Sequence, residues 1–174
     1  MALLEVRTLG DEVLRQVAEP VRKINEDIRQ LIKDMFETMY AENGVGLAAP
    51  QVGVSKRIVV IDVGDKEPFA MINPVLVRGW KEVTDQEGCL SVPGVYMPVK
   101  RFERVLVKGR NAKDKAVAIE AEGLLARALQ HEIDHLDGKM FVDLVEDKLT
   151  LDKELSEMRA RLSQKKEELA AAGA

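Results

Sequence analysis

Both histidines of the chain lie in the segment QHEIDHLDG, residues 130–138, and this segment constrains the fold more than any other. His131 and His135 are four positions apart, and Glu132 directly follows the first. On a helix, residues four apart lie on one face about one turn from each other, so both imidazoles can bind one metal ion. The pattern therefore predicts a metal-binding helix. The alternative, two solvated or hydrogen-bonded histidines on a helix face, requires this spacing to arise by chance.

A third ligand is needed, and the chain offers three places to look for it. In the pattern H-E-x-x-H-x-x-G-x-x-H it follows downstream, but that position holds Phe141, which cannot ligate. Glu154 or Glu157 could serve from a following helix, although both lie among charged residues that favour a solvated role. The favoured candidate is Cys89 in EGCLSVPG, the only cysteine of the chain.

Two other roles for Cys89 are open at this stage. A lone cysteine is more often a small buried apolar residue, and it can also be a nucleophile with a histidine base. Gly88 before it and Pro93-Gly94 after it predict a tightly turned loop and not a strand interior, which favours an accessible thiol. A nucleophile would need an imidazole that is free of metal, and the HExxH spacing argues against that.

The number of ligands distinguishes a catalytic metal from a structural one. A closed structural zinc site generally uses four Cys or His ligands, whereas this chain has one Cys and two His. One coordination position should therefore be open to water, whose proton Glu132 could take and return to a leaving amine. Two nitrogens and one sulfur suit zinc, iron, cobalt or nickel.

Charge and length exclude several other classes of protein. The 174 residues carry 26 basic and 30 acidic side chains, well mixed, with a net charge of -4, so no basic stripe for nucleic acid is present. No stretch approaches the ~18 apolar residues of a membrane span, and the first residues lack a signal-peptide pattern. We expect a cytoplasmic protein with no membrane or direct nucleic-acid partner. Residues 1–174 are expected to form one catalytic domain, in which 146–174 are a C-terminal helix and tail.

The periodicity of apolar residues predicts an α+β fold. Helical spacing runs over residues 25–41, with Asn25 as N-cap, and again over 124–137, with Gly138 as a left-handed C-terminal cap. Between them lie the β-rich runs RIVVIDV, FAMINPVLV, VKRFERVLVKG and AVAIEAE. A charged amphipathic helix is predicted over about residues 146–169. The expected architecture is mixed, mainly antiparallel strands around a central metal-binding helix, with an N-terminal helix and a C-terminal amphipathic helix.

The segment GVGLAAPQVG, residues 44–53, contains G-x-G-x-x-A but does not fit a dinucleotide site. That motif needs a strand before it and a helix after it, and here a helix precedes and a strand follows. A connecting turn explains the glycines, since glycine permits positive φ. It explains Gln51 less well: its amide could donate a hydrogen bond to an oxyanion, while the backbone of Gly46 could pair with a substrate chain.

Taken together, the three segments resemble the bacterial peptide deformylases. The matches are GVGLAAPQ (44–51), EGCLS (87–91) and QHEIDHLDG (130–138), in the family's order. The resemblance implies a hydrolase of N-terminal methionine processing during protein biosynthesis, which removes the N-formyl group from nascent formyl-methionyl polypeptides and releases formate. It also implies one divalent metal ion, physiologically Fe²⁺, with Zn²⁺, Ni²⁺ or Co²⁺ as substitutes.

The resemblance also implies roles for individual residues. Cys89, His131 and His135 would be the metal ligands and Glu132 the general acid/base. The remaining residues would contact the substrate: Gln51 and the backbone N–H of Leu90 at the oxyanion, Gly46 at the substrate backbone, and Val45, Leu124 and Ala128 around the methionine side chain. Core packing is the alternative for the last three.

Two features fall outside the family pattern. Tyr96 stands where some relatives carry an arginine that contacts the substrate chain, so recognition beyond the methionine is open. The C-terminal helix varies among such proteins. Packing on its own domain is its default role, and docking near the ribosomal exit tunnel is a hypothesis that rests on its charged amphipathic character.

Two other functions are alternatives to the metal-dependent removal of the formyl group, and each can be tested. An HExxH endopeptidase would need a downstream third ligand and would keep its metal and activity in Cys89→Ala. A noncatalytic, metal-stabilised module that binds nascent chains or ribosomes would be unaffected by Glu132→Ala.

Overall fold

The computed structural model describes residues 2–173. Helix α1 (Glu26–Ala41) is followed by strands β1 (Gly46–Ala48), β2 (Ile58–Ile61), β3 (Phe69–Cys89), β4 (Val92–Arg110) and β5 (Ala116–Glu122), then by helices α2 (Gly123–Leu136) and α3 (Lys148–Ala172). Single 3₁₀ turns lie at Glu12–Arg15, Ala49–Val52 and Phe141–Leu144. The predicted α+β architecture is confirmed.

The five strands form one antiparallel sheet in the order β1-β2-β3-β4-β5. β3 and β4 are far longer than predicted, and Cys89, the last residue of β3, pairs with Val92 across the two-residue turn of Leu90 and Ser91. The prediction of a loop through this Gly/Pro-rich passage is therefore wrong except at that turn. Ladder pairing with β4 holds the residues of β3 extended although many of them are polar.

The apolar run of β2 is buried on both faces, which explains why it lacks the alternation of a half-exposed strand. Val59 and Ile61 belong to the cluster that includes Leu129 and other α2 residues. Ile58 and Val60 pack in a second cluster with α1 side chains. The sheet thus separates two cores, and α2 packs on one side of it.

Helix ends follow the predicted capping residues. The Asn25 side chain accepts a hydrogen bond from the backbone N–H of Ile28 at 3.1 Å, which caps α1. Gly138, just beyond α2, has φ +72°, and a Cβ there would lie 2.5 Å from the carbonyl oxygen of Arg15. A glycine is therefore required at this position for both conformation and space.

The C-terminal helix lies against the body through one stripe. Leu151, Leu155 and Met158 are buried against the residues that begin β4, together with Phe141, and Leu162 is partly buried at the edge of this cluster. From residue 163 onward the helix is exposed. Within residues 2–173, every helix is too short or too polar to span a membrane.

Candidate metal centre

Three potential ligand atoms converge where the end of β3 meets α2. The Sγ atom of Cys89 lies 3.3 Å from Nε2 of His135, which lies 3.3 Å from Nε2 of His131, and the three donor groups all lie within 4.8 Å of one another. The histidines are one helical turn apart on α2, and Cys89 reaches them because the β3–β4 hairpin ends beside this helix. The expected proximity of Cys89 to both rings is observed, while its coordination of an ion stays a prediction.

The chemistry of these three groups fits a divalent cation. Both rings are buried, and the two Nε2 atoms and the sulfur lie close together, which is the donor set of a three-ligand site with one open position. The electrostatic surroundings agree. Burial lowers the pKa of His131, but the charges of Glu132 and Cys89 and a hydrogen bond to Glu87 raise it well above its usual value, so positive charge is favoured here. Burial lowers the pKa of His135 well below its usual value.

Glu87 orients the ring of His131, and sequence reasoning gave it no role. Its Oε2 atom lies 2.6 Å from Nδ1 of His131, and its carboxylate also accepts hydrogen bonds from Arg101 and Arg127. Burial alone would raise the pKa of Glu87, yet the hydrogen bonds from His131 and Arg101 lower it to about 2. An ionised Glu87 accepts a hydrogen bond from the Nδ1–H of His131, so Nε2 is the ring nitrogen that faces the other ligand atoms.

One signal in the sequence could have identified Glu87. Residues two apart in a regular strand point to the same face, which would place Glu87 beside Cys89 if EGC is a strand, although the ladder register shifts between these two residues in the structure. The loop prediction concealed this relationship. Arg101 and Arg127 carry no comparable signal, because their contacts with Glu87 join β4 and α2 to β3 across long sequence separations.

Glu132 is buried next to the ligand cluster and close to the backbone of β1. Burial raises the pKa of its carboxyl group to about 7. A Cβ at Gly46 would lie only 2.5 Å from Oε2 of Glu132, so the glycine makes room for the carboxylate. Within residues 2–173, Oε1 of Glu132 has no hydrogen-bond partner. A buried carboxyl group with an uncommitted oxygen can exchange a proton with a small molecule in the cleft.

Gln51 is also buried, and its amide is held in one orientation. Its Oε1 atom accepts a hydrogen bond from the backbone N–H of Ala48 at 2.9 Å, and its Nε2 atom donates to Oγ of Ser91 at 3.1 Å. Nε2 also lies 3.5 Å from Sγ of Cys89. One N–H of the amide is therefore donated to Ser91 and the other is directed toward Cys89 in the ligand cluster. The backbone of Leu90 follows the sulfur directly in the turn.

A cleft of about 510 Å³ joins the residues singled out from the sequence. Ten of these residues line it: Val45, Gly46, Gln51, Cys89, Leu90, Tyr96, Leu124, Ala128, His131 and Glu132. His135 is buried behind them. Val45 and Leu124 are 42% and 55% exposed, whereas Ala128 is buried. Apolar side chains thus border the mouth and the polar groups lie inside, an arrangement suited to a small polar group attached to an apolar side chain.

A strand cysteine, two histidines on one helical face and a buried glutamate beside them define the class of metal-dependent HExxH hydrolases. The sequence model described as polypeptide deformylase matches residues 3–150. The chain therefore belongs to the polypeptide deformylase family. Its activity is the metal-dependent hydrolysis of the N-formyl group from the N-terminal formyl-methionine of nascent polypeptides.

Individual relatives agree with this assignment. The chain is 51% identical to the peptide deformylase of Thermodesulfovibrio yellowstonii over 149 residues, which are 83% of this chain and 90% of that one. A peptide deformylase from Legionella pneumophila has the same fold, with a TM-score of 0.86 and 45% identity over 97% of this chain and 98% of that one. One from Synechococcus elongatus, in complex with actinonin, has a TM-score of 0.87 and 46% identity over 89% and 85% of the two chains.

Proposed function

We propose that the chain removes the formyl group with one divalent ion held by Cys89, His131 and His135, and with Glu132 as general acid/base. The observation that carries this proposal is the convergence of one sulfur and two Nε2 atoms beside a buried carboxyl group. When bound, the ion would polarise the formyl carbonyl and lower the pKa of water toward about 7. We propose Fe²⁺ as the resident ion, with Zn²⁺, Ni²⁺ or Co²⁺ as substitutes, because these ions accept mixed sulfur and imidazole donors.

Glu132 transfers the protons of the reaction. It lies next to His131 on α2, and its carboxylate reaches the cleft beside Gly46. From this position it takes a proton from the attacking water and returns it to the nitrogen that becomes the free amino group of methionine. Formate and a peptide with a free N-terminus are the products.

Two donors hold the oxyanion that develops on the formyl oxygen. The amide of Gln51 is locked by Ala48 and Ser91, so its second N–H is directed before the substrate arrives. The backbone N–H of Leu90 is the second donor, and it is placed by the turn that ends β3. Donors fixed in advance stabilise developing charge without reorganisation, which is the main source of rate enhancement in acyl transfer.

The cleft recognises the residue that carries the formyl group. Val45, Leu124 and Ala128 contact the methionine side chain, and the backbone of Gly46 pairs with the substrate backbone. The formyl group has only a hydrogen on its carbonyl carbon, and we propose that the site excludes a larger acyl group such as acetyl.

The proposed substrate indicates where in the cell the enzyme works. Nascent chains emerge from ribosomes in the cytoplasm, and we propose that the enzyme works there. The exposed, charged end of α3, residues 163–172, is proposed to dock near the exit tunnel.

One experiment tests the chemistry directly. The protein is purified without oxygen, its metals are measured by elemental analysis, and release of the free amino group is followed with formyl-Met and acetyl-Met peptides, because an acetyl peptide would release acetate and not formate. We expect one equivalent of metal, a free amino group from the formyl peptides alone, and competition by actinonin. Cys89→Ala should lose both metal and turnover. If it retains both, the ligand set proposed here is wrong and a downstream ligand, as in an endopeptidase, is present.

A further inference from the structure

The C-terminal helix forms one wall of the substrate cleft. Leu162 and Lys165 line the cleft on the same side as Pro93, Gly94 and Tyr96. They follow the buried Met158 at helical spacing, so the stripe that attaches α3 to the body continues along the opening of the cleft. The wall therefore comes from a part of the chain beyond residues 3–150, which the family model matches.

A contact between α3 and the start of β4 fixes this wall. The Nη2 atom of Arg161 donates a hydrogen bond to the carbonyl oxygen of Pro93 at 3.3 Å. The guanidinium also covers Gly94, which has φ +76° and where a Cβ would lie 2.9 Å from Nη2. Lys165 is four residues after Arg161, on the same helical face, and is consequently held over the cleft.

Lys165 is the uncommitted cation of the cleft. Among residues 2–173, no carboxylate lies within salt-bridge distance of its Nζ atom, and the side chain is exposed. Arg127, the other basic residue of the lining, is buried and donates to Glu87 and to the carbonyl oxygens of Val83 and Val99. An incoming peptide thus meets one free positive charge on the α3 side.

The segment of the lining just before β1 carries the opposite charge. Glu42 lies in the lining with Asn43 and Gly44, just before β1, and it is exposed without an ion pair among the described residues. A negatively charged group of the substrate is repelled near Glu42 and attracted near Lys165. The cleft therefore discriminates between charges as well as between apolar side chains.

We propose that Lys165 is a specificity-determining residue that pairs with a carboxylate of the formyl peptide beyond its methionine. This inference rests on the proposed function, because it assumes that the peptide leaves the metal centre along this cleft. The carboxylate is an Asp or Glu side chain in a nascent polypeptide, or the C-terminus of a very short peptide. Tyr96, 69% exposed and packed over Gly88, supplies a neutral surface next to this contact.

The test compares peptides that differ only in charge. Formyl-Met tetrapeptides with amidated C-termini carry one Glu or one Gln at the second, third or fourth residue, and kcat/KM is measured for each pair. At one position or more, we expect the wild-type enzyme to prefer Glu about two- to fivefold, through KM, as for an exposed ion pair. The preference should shrink at high salt. A free C-terminal carboxylate on the Gln peptides tests the other source of negative charge.

Two variants make the assignment specific. Lys165→Met keeps the apolar stem and should reduce the Glu/Gln ratio to about one, whereas the neighbouring Lys166→Met, on a different face of α3, should keep the wild-type ratio. Lys165→Glu should favour a peptide with Lys at the same position. An unchanged ratio in Lys165→Met, or an equal loss in Lys166→Met, overturns the proposal. Formate release from the all-neutral peptide reports the proposed function separately: its absence refutes that function, and its presence with no charge preference refutes only the role of Lys165.

Discussion

The Nδ1 atom of His131 lies 2.6 Å from Oε2 of Glu87, and this single contact connects the candidate metal centre to a buried ionic network. The same carboxylate accepts hydrogen bonds from Arg101 and Arg127, and all three partners are nearly inaccessible to solvent. Glu87 therefore has two functions: it fixes the tautomer of His131, and it compensates two buried guanidinium groups.

Glu87→Gln should impair both functions. We expect metal affinity to fall about 10- to 100-fold, because the orienting partner of a ligand loses its charge. Unfolding should become easier by about 3 kcal/mol, because buried Arg127 loses its carboxylate partner while Arg101 keeps Asp134. Metal content after dialysis and urea unfolding measure the two effects. Glu120→Gln removes only the exposed partner of Arg104, and it should change stability by less than about 1 kcal/mol. Equal effects of the two substitutions would contradict the role given to Glu87.

Glu132→Gln should separate catalysis from metal binding. The variant keeps the size of the side chain but cannot transfer the proton, so we expect kcat to fall by about 10²–10⁴-fold with the metal content unchanged. Glu157→Gln on the exposed face of α3 is the control and should retain full activity. If Glu132→Gln turned over formyl peptides as fast as the control, another group would be the acid/base.

Gly46→Ala should act on Glu132 through space. The added Cβ would lie 2.5 Å from Oε2 of Glu132, so the carboxylate must move away from its position in the cleft. We expect kcat to fall at least about tenfold, since misplacement by about 1 Å is costly in catalysis. Gly44→Ala is the matched control. Its Cβ would meet the flexible end of the Leu90 side chain at 2.8 Å and Cγ of Met39 at an ordinary contact distance of 3.5 Å, and its kcat should change little. Circular dichroism of both variants reports whether the fold is retained.

Tyr40 should lose its hydroxyl proton at a higher pH than an ordinary tyrosine. Its hydroxyl group donates a hydrogen bond to Asp62 at 2.6 Å, and this contact raises the pKa of Tyr40 from 10.0 to about 12. The protonated form is the one that is stabilised. This contribution to stability is complete below pH 10 and is lost as the pH rises through about 12. In a Tyr96→Phe background, tyrosinate absorbance should give the late midpoint, and Asp62→Asn should move it down toward the usual value. Identical midpoints would show that the hydrogen bond does not form in solution.

The helices and their ends could be predicted from the sequence because their determinants are local. Asn25, Gly138 and the apolar spacing between 124 and 137 act within a few residues of each other. The metal-binding pair was visible for the same reason, since a spacing of four is a property of one helix. Cys89 could be inferred because the chain has no other cysteine and because EGCLS matches a segment of the family.

The long β3–β4 hairpin could not be predicted, for a physical reason. Residues 81–86 are exposed and carry no alternation of apolar and polar side chains. Residues 82–86 are strand because each has a register partner in β4, and backbone pairing leaves no mark on side-chain composition. The contacts of Glu87 with Arg101 and Arg127 could not be predicted for the same reason, because the register of a hairpin must be known before such neighbours can be identified.

Because β2 is buried between two cores, adjacent residues of this strand contact different parts of the protein. Val59 and Val60 are adjacent and chemically identical, yet one touches the layer that supports His131 and the other touches the layer beneath α1. A larger side chain at Val59 would displace α2, which carries the candidate ligands. A larger side chain at Val60 would instead disturb the packing on the α1 side of the sheet. The four aliphatic residues of β2 look interchangeable in the sequence, but alternate residues pack in two different hydrophobic cores.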